Sequence, residues 1–261
     1  MKSLSNILKT IDQLFIAYQA QRPLPEDEQA LRYAQLRLEW TYHSNALEGN
    51  SLTLGETAFY LREGLTSEGK PLVDFLEARN HAEAIDWLSQ HVTAKTPMSE
   101  GFMKDLNALL HQGITQRPAL GAGGQTIMRK ITPGVYKRQP NHVLTLSGTI
   151  HYYVEPLQVP GAMQALVEKI RTEEKIAHPV QLASDAHYEL TRIHPFDDCN
   201  GRCARLLLNL LLMRAGFPPI VIRQEERRRY LEALEHADAG DATPFTLFVA
   251  EHVQQSLQAQ T

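Results

Sequence analysis

Ile193-His194-Pro195-Phe196-Asp197-Asp198-Cys199-Asn200-Gly201-Arg202-Cys203-Ala204-Arg205, followed by the apolar run Leu206 to Met213, is the stretch on which the fold turns. Proline disfavours helical geometry in the residue before it, so a helix leading up to Ile193 ends at His194. After a short loop, Asn200-Gly201 opens a second helix that carries the leucines. That apolar run is far shorter than the roughly 20 residues of a membrane-spanning helix, and Arg205 and Arg214 bracket it. It reads as the buried centre of a helical protein.

The loop between these helices carries the chemistry. A helix N-terminus presents free N–H groups and the positive end of a dipole, which together make an anion site. Arg202 and Arg205 stand three apart on the first turn, so both guanidinium groups can aim at one anion. Two arginines, a Gly-flanked loop and a helix N-terminus suit a polyphosphate better than a lone carboxylate. Asp198 adds a hard oxygen, and Mg²⁺ is typically held by one or two carboxylates together with substrate phosphates. His194 is the nearby group able to take a proton at neutral pH. Singly, these would be a capping His, a capping Asp and solvated arginines; gathered within 194–205 they point to a nucleotide site.

Outward from this stretch, apolar residues recur at helical spacing, with start and stop chemistry at the breaks. Helices are expected at about 4–20, 28–47, 72–91, 160–175, 179–193, 201–215 and 225–238. Thr53 and Glu56 have capping-box spacing and predict a helix to about Glu63. Thr96-Pro97 and Thr243-Pro244 each place a cap residue before a first-turn proline, predicting helices from Pro97 and Pro244. Between Leu120 and Pro160 the chain is rich in Gly and Pro. There Val143 to Leu146, Ser147-Gly148 and Thr149 to Val154 suggest a hairpin, a flap or docking edge in a helical protein, with a long surface loop as the alternative.

The 261-residue chain is 43% hydrophobic and 21% charged with a formal net charge of -4, the make-up of a globular protein. No basic field advertises nucleic acid. Met1 to Gln21 mixes Lys and Asp among its apolar residues, unlike a signal peptide. Two cysteines, Cys199 and Cys203, are too few for a disulfide framework and fit a reducing compartment. The expectation is a cytoplasmic protein with no membrane or nucleic-acid partner.

The pattern His194-Pro195-Phe196-x-Asp198-x-Asn200-Gly201-Arg202-x-x-Arg205 resembles the active-site motif of the Fic (Fic/DOC) family. The segments Leu206 to Ile222 and Tyr230 to Phe248 continue the resemblance, which covers about residues 40 to 250. It implies an all-α fold, a Fic-type helical bundle with a small β-hairpin flap: an N-terminal helical region at 1–92 and a core at 93–261 with the flap at about 140–154. It also implies a protein adenylyltransferase that moves AMP from ATP onto a Ser, Thr or Tyr hydroxyl of a protein, its own included. In that reading His194 is the general base and Asp198 the Mg²⁺ ligand. Asn200 and Gly201 bind the α- and β-phosphates, Arg202 the β-phosphate and Arg205 the γ-phosphate. Tyr230 and Leu234 lie where relatives contact the adenine, and Leu234 equally suits core packing. The flap would align the target backbone by strand addition. Cys199 stands where relatives mostly have Gly or Ala, and a loop position with positive φ would penalise its β-carbon.

Ser44-Asn45-Ala46-Leu47-Glu48-Gly49-Asn50 ends a helix at a Gly stop signal, placing Glu48 where the helix dipole disfavours negative charge. The segment, in a helix at about 30–49, resembles the Fic inhibitory motif. There the Glu pairs with the motif's last arginine, here Glu48 with Arg205, and Ser44 supports the Glu by hydrogen bonding. Such a pair denies the γ-phosphate its partner and misorients the α-phosphate. Two further readings stay open: removal of AMP from a modified protein by the same residues, and a nucleotide-binding regulatory module with weak catalysis. Oligomeric state is open as well, a homodimer being one option.

Overall fold

Helices α7 (Pro179–Ile193) and α8 (Asn200–Arg214) pack along their length at the centre of the molecule. The computed structural model describes residues 3–120, 125–144, 148 and 150–260. Every α8 residue from Arg202 to Leu212 is buried, as expected of a leucine-rich helix flanked on all sides. Around the pair lie α1 (Leu4–Ala20), α2 (Glu26–Ala46), α3 (Leu54–Glu63), α4 (Leu72–Thr93), α5 (Glu100–Leu110), α6 (Val159–Glu173), α9 (Arg227–Asp238) and α10 (Thr243–Gln258). One hydrophobic core joins Ile7 and Ile11 of α1, Trp40 of α2, Leu88 of α4, Phe102 of α5, Met163 of α6, Leu190 of α7 and Phe248 of α10 to the α8 leucines. Helix α1 packs on α10, while α2 and α4 pack on each other and reach α8. Among the described residues, no helix is long and apolar enough to cross a membrane. The protein is mostly helical, as expected from the spacing of its apolar residues.

The capping box of α3 forms with both bonds in place: Glu56 N–H donates to Thr53 Oγ1 at 3.1 Å and Thr53 N–H to Glu56 Oε2 at 2.7 Å. One expected start is displaced. Helix α5 begins at Glu100, not Pro97, because Ser99 caps it by accepting from Phe102 N–H at 3.0 Å. Thr96 instead belongs to the end of α4, its N–H bonded to the His91 carbonyl at 3.1 Å. Helix α10 begins at Thr243, next to Pro244 as expected, but Thr243 is its first residue and not its cap, its N–H donating to Asp241 Oδ1 at 3.0 Å. A 3₁₀ turn, Gln224–Glu226, precedes α9.

Among the described residues, four short strands make two antiparallel hairpins: β1 (Gln116–Leu120) with β2 (Thr126–Lys130), and β3 (His142–Leu144) with β4 (Ile150–Tyr152). In the second, His142 faces Tyr152 and Leu144 faces Ile150. This is the expected flap; of its connecting residues, 145–147 and 149 lie outside the described residues. The β1–β2 hairpin is not foreseen in the sequence. Pro118 and the polar Gln116 and Arg117 mask its first strand, since proline within a run argues against a strand unless it lies at an edge.

Candidate active site

Two left-handed residues frame the loop between α7 and α8. His194 caps α7 at φ 50° and Cys199 precedes α8 at φ 63°. Non-glycine residues rarely adopt this region, and it clusters at functional sites. The loop is clipped into place by Asn200. Its Oδ1 accepts from Phe196 N–H and its Nδ2 donates to the Phe196 carbonyl, both at 2.9 Å. Phe196 is buried in the core, and Lys137 N–H donates to the Pro195 carbonyl at 2.8 Å. Asn200 therefore spends its side chain on closing the loop, which leaves the N–H groups at the start of α8 as the polar face.

His194 stacks on Tyr153, ring centroids 3.7 Å apart and planes 15° from parallel. Burial first, then the nearby Lys137 ammonium, push the imidazole down to about 3, so it is neutral at pH 7. Burial also lowers Lys137 to about 8; its ammonium donates to Asn141 Oδ1 at 2.6 Å.

Asp198 sits across the loop, about one-third exposed. Its Oδ2 meets Arg117 Nε at 2.8 Å, His111 Nε2 at 3.5 Å and Arg202 at 3.7 Å. Burial alone would raise the carboxyl, but the His111 contact and the Arg202 and Arg117 guanidinium groups outweigh it and hold it well below the usual carboxylate range. Arg202, fully enclosed, donates to Glu77 Oε1 at 2.8 Å and Asn45 Oδ1 at 3.3 Å. Glu77 in turn pairs with Arg117 and accepts from Asn50 Nδ2 at 2.8 Å. Glu77, Arg117, Asp198 and Arg202 thus close a ring of alternating charge.

Arg205 is buried beneath the C-terminal end of α2. Its Nε donates to Ser44 Oγ at 3.0 Å, and its terminal nitrogen donates to the Ser44 carbonyl and to Glu48 Oε1, both at 2.8 Å. Ser44 bonds the arginine, so it aims the guanidinium at Glu48 where the sequence suggested support of the carboxylate itself. Gly201 lies against the same pair. A β-carbon there would collide with Glu48 Oε1, so a larger residue at this position would displace the carboxylate from its place. Tyr230 is buried under Arg205, its hydroxyl 2.9 Å from His187 Nε2, and Leu234 packs half-buried on the core.

Glu77, Arg117, His111, Asn45 and Tyr153 escaped the sequence reading. Only Glu77 carried a usable signal: it falls among the inward-facing positions of α4 with Phe75, Ala78 and Ile85, and a carboxylate on a buried face needs a partner.

The sequence model of the Fic/DOC family matches residues 97–212. Protein adenylyltransferase Fic of Nematostella vectensis is 34% identical over 84% of this chain and 47% of its own length. Protein adenylyltransferase fic-1 of Caenorhabditis elegans is 31% identical over 84% of the chain and 40% of its own. The chain spans about half the length of the curated relatives it matches, or less. Among solved structures, a Fic-domain-containing signaling protein from Bacteroides thetaiotaomicron superposes with a TM-score of 0.87 at 33% identity, covering 96% of this chain and 95% of that one. Fic-1 from C. elegans superposes at 0.81 with 27% identity, covering 98% and 71%.

Proposed function

This chain belongs to the Fic/DOC family, and from that membership we propose that it transfers AMP from ATP to a Ser, Thr or Tyr hydroxyl of a protein, its own included. The observation that carries the reading is the union, at one helix N-terminus, of a neutral imidazole on one side and two buried arginines on the other. A neutral His194 can accept the hydroxyl proton as the oxygen attacks the α-phosphorus. The new O–P bond forms as the bond to the β-phosphate oxygen breaks, and pyrophosphate leaves with the electron pair. Backbone N–H groups at the start of α8, with Arg202 and Arg205, oppose the charge on the phosphates.

Asp198 is the residue to hold a divalent cation. Its carboxylate, about one-third exposed beside the start of α8, is a hard-oxygen donor that suits Mg²⁺, which takes its remaining ligands from phosphates and water. When bound, the cation would neutralise phosphate charge. Glu48 keeps the site inactive by occupying Arg205, the partner of the γ-phosphate, so that ATP binds without its α-phosphate in line with the attacking oxygen. The two buried free thiols, Cys199 and Cys203, fit work in the reducing cytoplasm.

His194→Ala tests the base. Labelling of the protein by ATP carrying a labelled α-phosphate should fall to background while ATP affinity, measured by calorimetry, stays within about threefold, because the base acts on the hydroxyl and not on the nucleotide. Parallel loss of binding and labelling would sink the assignment.

A further inference from the structure

The β1–β2 hairpin places two arginines directly opposite each other, Arg117 facing Arg129. Like charges in that position repel and weaken a strand pair. Here the compensation comes from outside the hairpin, where two consecutive acids of the catalytic loop receive one arginine each. Arg117 Nε lies 2.8 Å from Asp198 Oδ2, and an Arg129 nitrogen lies 3.7 Å from Asp197 Oδ1. The hairpin is therefore held over the loop by charge, through two arginines that lie outside the 194–205 motif.

Arg117 has a second anchor, its terminal nitrogen pairing with Glu77, so its guanidinium bridges Glu77 and Asp198. It remains about one-fifth exposed, enough to leave without opening the core. We propose that Arg117 stands in for the divalent cation in the nucleotide-free protein: its guanidinium occupies Asp198 and must give up that oxygen when a metal–nucleotide takes the carboxylate. This rests on the reading of Asp198 as the metal ligand. A dication placed on Asp198 would lie beside the guanidinium and repel it, so metal and hairpin compete for one carboxylate. With Glu48 facing Arg205 and Glu77 facing Arg202, the chain's own charges fill the site in the alternation that a metal–triphosphate would bring.

The experiment measures by calorimetry the factor by which Mg²⁺ tightens ATP binding to the full chain and to Arg117→Gln, Arg117→Lys and Arg138→Gln. It also follows amide exchange in β1 and β2. Removing one positive charge next to the cation should raise that factor about tenfold in Arg117→Gln. Arg117→Lys keeps a charge and should stay near the parent value. Arg138→Gln, an equal charge change at an exposed position, should leave the factor unaltered. Exchange in the hairpin should quicken with Mg²⁺ and ATP together and not with ATP alone. Melting temperatures establish that each variant is folded. If Mg²⁺ tightens ATP binding in the parent but by the same or a smaller factor in Arg117→Gln, the inference is overturned and the metal reading stands. If Mg²⁺ tightens binding in neither, the metal reading of Asp198 fails and takes the inference with it.

Discussion

Arg202 and Arg205 stand one turn apart on the same helix, both buried and both paired with a glutamate, yet their partners could hardly differ more. Glu77 is itself buried on the second turn of α4, while Glu48 is about two-fifths exposed on the turn that follows α2. Glu77 is also bound by Asn50 and Arg117. Burial would raise its carboxyl, but Arg202 and Arg117 prevail and keep it below the usual range. Losing Glu77 strands Arg202 and Arg117 in a low dielectric, whereas losing Glu48 leaves the buried Arg205 its two bonds to Ser44 and opens the vacated position towards water. The same residue pairing thus serves as a structural member in one place and as a releasable contact in the other.

The largest effect should come from breaking the buried member. Glu77→Ala leaves Arg202 and Arg117 without their shared anion and should lower unfolding free energy by about 3 kcal/mol, the usual cost of removing one partner of a buried pair. Urea denaturation would measure it. A loss under about 1 kcal/mol, as for an exposed pair, would erase the distinction drawn between the two glutamates.

Next in size is release of the exposed member. Glu48→Gly frees Arg205 for the γ-phosphate and should raise self-labelling from α-labelled ATP by more than about tenfold, with a smaller stability loss than Glu77→Ala because Ser44 still holds the guanidinium. Adding Arg205→Ala should cancel the gain. That non-additivity marks a specific pair, since a general loosening of α2 would act whatever stood at position 205. Unchanged labelling in a folded Glu48→Gly variant would make Glu48 an ordinary helix-terminal carboxylate.

The smallest effect concerns the neutral groups that line the two arginines. Burial, reinforced by Arg205 and Arg202, holds His81 well below its ordinary value, and burial with Arg205 holds His187 at about 3. A histidine lowered on folding binds its proton more readily unfolded. Its contribution is therefore complete above the unfolded value of about 6.5 and is lost as pH falls towards the folded one. For His187, stability should decline by about 1 kcal/mol per pH unit between roughly pH 6 and 4.5. His187→Gln should flatten that slope in thermal melts, and an unchanged slope would remove His187 from the explanation.

The helices were largely legible because each rests on local rules. The α7 and α8 boundaries follow from Pro195, Asn200 and Gly201, and α3 from its capping box. Where two local signals competed, as at Thr96 against Ser99, the sequence chose wrongly: nothing nearby says that the Thr96 N–H is already committed to closing α4. The β1–β2 hairpin was hidden for a related reason. Its strands are polar and carry a proline, and the anions that hold its arginines lie far along the chain.

The 194–205 stretch by itself determined that two helices meet at a loop bearing a base, a carboxylate and two arginines, because proline, glycine and helical spacing act within a few residues. It also made Cys199 a suspect position, and the left-handed backbone there follows the same local geometry. The resemblance already paired Arg205 with Glu48, but only the tertiary structure decided what Arg202 faces. Glu77 and Arg117 reach it across long loops, and the choice between a buried partner and an exposed one depends on packing. A side chain's dielectric surroundings are set by every helix around it, and no window of sequence contains them.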